Sequence, residues 1–366
     1  MFKLSSMIKL YSFVISFLIV FFIFSCSGRS NYNWKVYNSN TTGLRPQYEG
    51  FNQLIIKADI FYLLGSFDES LKWKDKQALV YKSEDQGKTW LNVFEEKGNA
   101  EKGYYSSENI YLVKEIYIEN SFKNSQQRLL KLDNSSNSIH KFKRQSNVKY
   151  IHVDELGKGA LILSNSFSSK DYSVFRTKNN FKTYDSIPID KAVKGSFVTN
   201  DRVYLLTYKA FRKNYKVFET NKIHILDENN ALDSLDLDFN VDYFLVEKGE
   251  SFWFLGKNND SIQLRKRKGD VTNIINTLSI DKEETSKKLY KHNDFIAILT
   301  SSIDKGALGG FGSVRYKLYL SFDNGQTFKE ENPPIDDYVN PIAFYKDEKI
   351  IIYSGAGRIS VCDLKK

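Results

Sequence analysis

The sequence predicts an all-β chain, a β-propeller of about seven four-stranded blades with six as the alternative, and three observations carry that expectation. Composition favours strands: among 366 residues stand 27 Phe and 23 Tyr against only 5 Pro and 2 Met. Short β-branched and aromatic runs, bounded by polar turns, follow one another with no amphipathic helix between them. A turn pattern returns about every 47 residues, the signature of a repeat architecture. A chain this long and 41% hydrophobic buries a large core, yet it exceeds the usual single domain unless each unit leans on its neighbours.

The turn pattern is clearest twice. Ser83-Glu84-Asp85-Gln86-Gly87-Lys88-Thr89-Trp90 and Ser321-Phe322-Asp323-Asn324-Gly325-Gln326-Thr327-Phe328 both read Ser-x-Asp-x-Gly-x-Thr-aromatic at the end of an alternating strand. A weaker copy runs from Thr177 to Tyr184, with Asn179 in place of Asp and Phe181 in place of Gly. The chemistry is that of a turn: Asp accepts hydrogen bonds from turn amides, and Gly supplies a positive φ. Hydroxyls brace the two strands, and the aromatic ring plugs the apolar layer beneath. Asp85, Asp133, Asn179, Asp227 and Asp323 stand at corresponding places, with steps of 48, 46, 48 and 96 residues. The last step is twice the third, so the missing copy falls near 270, at Lys268-Gly269-Asp270.

The pattern resembles the Asp-box, or BNR, repeat of sialidases and related propellers. The resemblance implies that Ser83, Asp85, Gly87, Thr89 and Trp90, and likewise Ser321, Asp323, Gly325, Thr327 and Phe328, serve the fold rather than catalysis. Seven units follow, at 49–97, 98–146, 147–191, 192–239, 240–284, 285–334 and 335–366. The last unit is one strand short. Trp34-Lys35-Val36-Tyr37 is an alternating strand placed to supply the fourth, which would close the ring and remove its exposed edges.

The N-terminus reads as an address. Lys3 and Lys9 precede an apolar run from Leu10 to Phe24, shorter than the roughly 20 residues of a membrane-spanning helix. Ser25-Cys26 follows, and this resembles the lipobox of bacterial lipoproteins, with Phe24 departing from the small residue often found there. The resemblance implies cleavage before Cys26 and a lipid on it, hence a cell-envelope location. The alternatives are an uncleaved anchor or an ordinary signal with an incidental Cys. The expected division is a signal at 1–25, an anchored segment with the closing strand at 26–48, and the propeller at 49–366. The only other cysteine, Cys362, lies in an apolar run and reads as a core residue, so no disulfide framework is expected. Net charge is +9, or +7 once residues 1–25 and their two lysines are removed.

Binding is expected on the face opposite the Asp-box turns, where second-to-third loops and blade connections emerge around the channel. Those loops are long in unit one (Gly65 to Gln77), unit four (Tyr208 to Asn221) and unit six (Ser301 to Val314). They place Trp73, Tyr208, Phe211, Arg212, Tyr215, Phe311 and Arg315 on this face, with Arg358 in the last unit. Aromatic rings beside charges suit a glycan, a peptide or an envelope protein. The Gly-rich stretch from Gly306 to Gly312 ends in neither Gly-Lys-Ser nor Gly-Lys-Thr and so is not a phosphate loop.

The reading is therefore a membrane-anchored binding or assembly module, with a sialidase-like glycoside hydrolase as the alternative. The resemblance would then require three arginines, a Tyr–Glu nucleophile and an Asp acid. Arg45, Arg315 and Arg358 are candidates for the first, but Leu44-Arg45-Pro46 lacks the Ile of the usual signature, and no motif marks the others. Fold alone does not transfer activity. His140, His152, His224 and His292 are far apart, so no metal site or cofactor is expected. Arg265-Lys266-Arg267-Lys268 would alternate faces on a strand and reads as a solvated edge; nucleic acid is not an expected partner.

Overall fold

The computed structural model describes residues 32–38, 42–44, 49–68, 72–106, 108–119, 125–132, 138–142, 146–164, 172–199, 202–213, 216–247, 251–258, 260–281, 284–304, 313–334, 342–346, 348–354 and 358–364. Among them the strands form seven four-stranded antiparallel sheets, the blades of a propeller. Blade one is Glu49–Lys57, Ile60–Phe67, Gln77–Ser83 and Leu91–Lys97; blade two is Asn99–Ser106, Asn109–Tyr117, Ser125–Leu132 and Ser138–Lys141. Blade three is Asn147–Val153, Gly159–Ser164, Tyr172–Thr177 and Asp185–Ile189; blade four is Ala192–Val198, Val203–Lys213, Lys216–Leu226 and Leu232–Leu237. Blade five is Tyr243–Glu247, Ser251–Asn258, Ser261–Lys268 and Val271–Ser279; blade six is Thr285–His292, Phe295–Asp304, Ser313–Ser321 and Lys329–Glu331. Blade seven takes Ile342–Tyr345, Lys349–Ser354 and Arg358–Asp363 from the end of the chain and Trp34–Tyr37 from its beginning.

The second strands are apolar at nearly every position because each blade is packed on both faces. In Gly159–Ser164 all six residues are buried. Leu161 and Leu163 point to blade two, where they meet Tyr111, Val113 and Leu129. Ala160 and Ile162 point the other way, onto Val203 and Leu205 of blade four. Alternation along a strand thus feeds two cores at once. Among the described residues there are seven such clusters, one for each junction, and that between blades seven and one joins Ile351, Tyr353 and Ile359 to Phe61, Leu63 and Leu79. Cys362 is fully buried at the junction of blades six and seven, and burial pushes its thiol up to about 12. It is a core residue, too poorly ionised to act as a nucleophile.

The seam closes as the sequence expects. Trp34 pairs with Cys362 and Tyr37 with Ile359 in antiparallel register. The Trp34 indole also donates to Glu331 Oε1 at 3.0 Å, tying the closing strand to blade six.

The third-to-fourth turns show how the repeated residues act. In blade one, Asp85 Oδ1 accepts from Ser83 Oγ at 2.9 Å and from the amides of Lys88 and Thr89 at 3.1 and 2.9 Å. Its Oδ2 accepts from Thr89 Oγ1 at 2.7 Å, and the Gly87 amide donates to Ser83 Oγ at 2.8 Å. Blade six repeats this with Ser321, Asp323, Gly325 and Thr327. Blade three does so with Thr177, Asn179, Phe181 and Thr183. Gly87 and Gly325 sit at φ 89° and 85°, and Phe181 is held at φ 62°. A non-glycine residue there costs about 1–2 kcal/mol. Burial of the ring offsets this: Phe181 is 4% exposed and packs edge-on against Tyr104, and burying such a ring contributes about 1.5–3 kcal/mol. Hydrogen bonds from Thr327 and Ser321 hold the Asp323 carboxyl down at about 2.

The Asn179 turn shows that an amide reproduces most of these bonds. Asp85→Ala is therefore expected to lower stability by about 1–2 kcal/mol and Asp85→Asn by less than half of that. Urea unfolding midpoints of the two variants measure the difference; equal losses would refute this account of the turn.

Candidate functional site

The chain runs up and down within each blade, so the propeller has two unlike ends. One carries the first-to-second and third-to-fourth turns and is here the turn face. There the Gln86 amide donates to Asp59 Oδ1 at 3.2 Å, and Tyr345 donates to the same oxygen at 2.9 Å. The other end carries the second-to-third connections and the links between blades, and is the loop face.

The described residues among those that the sequence assigns to ligand binding stand toward the loop end of their strands, but fewer of them lie in loops than expected. In blade four the strands continue through the expected loop as a two-stranded ribbon, paired from Tyr208 opposite Asn221 down to Lys213 opposite Lys216. Phe211 is registered opposite Phe218 and Arg212 opposite Val217 along the backbone. Alternation persists past the sheet edge, so the backbone keeps pairing where turn residues would have stopped it. In blade six pairing extends to Asp304 opposite Ser313. In blade one Trp73–Asp75 forms a short 3-10 turn. Tyr208 is half-buried, Arg315 is exposed at the start of a third strand, and Arg358 holds the equivalent place in blade seven. Cys26, Arg45, Tyr215 and Phe311 lie outside the described residues.

Two features of the loop face were not read from sequence. The first is a carboxyl pair between blades two and three. Innermost strands of blades one, two, three, four and six carry a β-bulge at the same level, at Asn52, Glu101, Lys149, Lys194 and Lys287. The residue after the bulge reaches the next blade: Gln53 exchanges two hydrogen bonds with the Gly103 backbone, Tyr150 donates to Lys194 O, and Lys288 donates to Ile342 O. In blade two the bulge aims Glu101 at Glu115. Glu115 accepts from Ser125 Oγ at 2.5 Å and from Tyr117 at 2.8 Å. Asn99 donates to Glu101. Burial first, then the Glu115 charge and a hydrogen bond to it, raise Glu101 to about 7, so it shares its proton with Glu115 near neutrality. The alternating strand Asn109–Tyr117 held the signal: Glu115 falls on the same face as Tyr111 and Val113, where an acid needs a partner.

The second feature is a cavity of about 370 Å³ between blades four and five, lined by Asp238, Phe239, Asn240, Lys257, Gln263 and Arg265. The Arg265 guanidinium lies over the Phe239 ring, 4.1 Å from its centroid, and Gln263 Oε1 accepts from its Nη2 at 2.6 Å. Lys266 points the other way, over Trp253, and pairs with Glu247 at 3.2 Å. The basic run therefore alternates faces as read, but it is not a solvated edge: Arg265, Lys266 and Arg267 are each half-buried. Among the described residues no group of His, Cys, Asp and Glu is arranged to hold a metal ion.

With this geometry in hand, the solved structures can be compared. YCF48 bound to D1 peptide matches at TM-score 0.59 and 11% identity, over 92% of this chain and 98% of that one. The β-propeller domain of the Trilobed protease from Pyrococcus furiosus, which has an open velcro topology, matches at TM-score 0.55 and 12% identity over 87% and 97%. The WD40 β-propeller domain of Doa1 matches at TM-score 0.53 and 14% identity over 90% and 98%. No protein-family model and no curated protein matches the chain. At these identities the likeness establishes a seven-bladed propeller and no activity.

A carboxyl whose folded pKa is raised contributes stability below its ordinary value, near 4.5, and loses it as pH rises through about 7. Glu101→Gln, which keeps the hydrogen-bonding shape without the charge, is expected to melt about 2–4 °C above the parent chain at pH 8 and level with it at pH 5. Thermal unfolding at the two pH values tests this; a gain that does not depend on pH would refute the shared proton.

Proposed function

We infer that the chain is a lipid-anchored, extracytoplasmic binding or assembly module whose loop face receives a peptide segment of an envelope protein. The observation that carries this reading is the asymmetry of the scaffold. The third-to-fourth turns of blades one, three and six share one hydrogen-bonding pattern, whereas the loop face differs from blade to blade: the ribbon of blade four, the 3-10 turn of blade one, the carboxyl pair and the Phe239–Arg265 cavity. Such a surface, rimmed by charge and by aromatic rings, suits an extended peptide better than a small molecule. YCF48, similar over nearly its whole length, is a propeller solved with a peptide bound. The Ser-x-Asp-x-Gly-x-Thr turns are taken as Asp-boxes that serve the fold. Anchoring rests on Ser25-Cys26 after the apolar run.

The hydrolase reading has one observation in its favour, the Tyr117–Glu115 contact. Three others weigh against it. Tyr117 is 4% exposed, so it is not presented to a substrate. The cations bearing on the pair are Lys102 and Lys76 rather than arginines. Glu101 and Glu115 are hydrogen-bonded to each other, whereas glycosidase carboxyls stand about 5–9.5 Å apart to admit the sugar or water.

Cys26→Ser is expected to move the protein from the membrane to the soluble fraction and to abolish incorporation of a fatty-acid probe; unchanged fractionation would sink the anchor. A photo-crosslinking residue at position 315 is expected to give a discrete protein adduct in cells, and one at position 156 on the turn face to give none. Adducts from position 156 alone would move binding to the other face, and robust turnover of fluorogenic glycosides would revive the hydrolase.

A further inference from the structure

The direction of the closing strand decides which end of the propeller meets the membrane. Arg358–Asp363 runs from the loop face to the turn face, since Asp363 pairs with Lys349 just after a first-to-second turn, and the Leu364 amide donates to Glu348 O. Trp34–Tyr37 is antiparallel to it, with Trp34 opposite Cys362 and Tyr37 opposite Ile359. The chain therefore arrives at the turn face and climbs toward the loop face. Cys26 precedes Tyr32, the first described residue, by six peptide steps, which reach about 20 Å at full extension. A lipid on Cys26 thus keeps the turn face close to the bilayer.

That face has an uneven apolar surface. Leu91 of blade one, Leu232 of blade four and Val271 of blade five each follow a third-to-fourth turn as the first residue of an outer strand, and are 69%, 57% and 61% exposed. Leu156, in the first-to-second turn of blade three, is 71% exposed, and Phe322, in the turn of blade six, is 46% exposed. Five blades thus carry a large apolar side chain at the turn end. Four basic residues on this face pair with acids of the same face: Lys57 with Glu155, Lys82 with Glu84, Arg267 with Asp270, and Lys349 with Asp363. Hydrophobic contact with lipid, rather than coulombic attraction to anionic headgroups, is the attraction that such a surface offers.

We propose that the turn face lies against the phospholipid bilayer, touching its headgroup boundary through Leu91, Leu156, Leu232, Val271 and Phe322, and that the loop face is thereby held outward toward its partner. The proposal rests on the lipid anchor at Cys26. It assigns a second role to the structural end of the propeller: the lipid holds the chain at the bilayer, and a face of apolar side chains fixes which end of the propeller meets it.

The test uses the full, lipidated chain in vesicles of phosphatidylcholine and phosphatidylglycerol containing a spin-labelled lipid that quenches fluorescence. Leu156→Cys on the turn face and Ile118→Cys on the loop face, both exposed, carry the fluorophore, while buried Cys362 stays unlabelled. The label at 156 is expected to be quenched about threefold more than that at 118, with little change in raised salt. Equal quenching, none at either site, or the reverse order overturns the orientation. Leu232→Asp and Val271→Asp together, both at exposed positions, are expected to reduce the quenching of the label at 156 in the lipidated chain; unchanged quenching counts against the apolar contact. Fatty-acid incorporation is read on the same samples. Incorporation without the quenching pattern sinks the orientation alone, and absent incorporation sinks the anchor and the orientation with it.

Discussion

A blade cannot cover its own two faces, and every other property of this molecule follows from that constraint. Each sheet presents apolar side chains on both sides, as Leu161 and Leu163 do toward blade two and Ala160 and Ile162 toward blade four. A row of such sheets always leaves two raw ends. Bending the row into a ring removes them, but only if the first and last units meet. The meeting point is the cluster of Phe61, Leu63 and Leu79 against Ile351, Tyr353 and Ile359, sealed outside by Trp34–Tyr37. The closing strand is short and half-exposed, yet it is the piece that gives blade seven its outer edge and sets where the N-terminal segment leaves the ring.

Within that frame the two ends of the propeller solve different problems. The turn face has to reverse the chain in few residues, and it does so by charge-assisted hydrogen bonding. One carboxylate gathers hydroxyl and amide donors, and the backbone passes through positive φ at Gly87 and Gly325. Blade three reaches the same turn with Asn179 and Phe181 because its aromatic ring gains burial against Tyr104, which offsets the strained backbone. The loop face has no such geometric demand. There, bulges on the innermost strands rotate side chains toward the next blade, and polar groups such as Gln53 and Tyr150 join neighbours around the channel.

The carboxyl pair arises from the same device. A bulge at Glu101 brings it to Glu115, and burial makes a second negative charge unfavourable, so one proton is retained near neutrality. Elsewhere on this side the fully buried Glu284 takes hydrogen bonds from Thr300 and Tyr319, with Lys317 nearby. Glu101 is distinguished by lacking a cation close enough to outweigh its desolvation. A peptide bearing an ammonium or guanidinium group would supply one, which links the chemistry of the pair to the binding role proposed for the face.

The sequence by itself determined the class of fold, a count of about seven blades with six as the alternative, and the strand that closes the ring. These are legible because a blade's period, its alternation and its turn residues are local: the steps between Asp85, Asn179, Asp227 and Asp323 need no knowledge of what packs where. The tertiary structure decided three things that no local pattern contains. It converted the expected loop from Tyr208 to Asn221 into a ribbon, because strand pairing outlasts the sheet when nothing interrupts alternation. It brought Glu101 to Glu115, because a one-residue bulge reverses which face a side chain takes. It placed Arg265 over Phe239, two residues that only the junction of blades four and five brings within contact. Periodicity reports what a strand does to itself, whereas a site depends on which strand lies beside it.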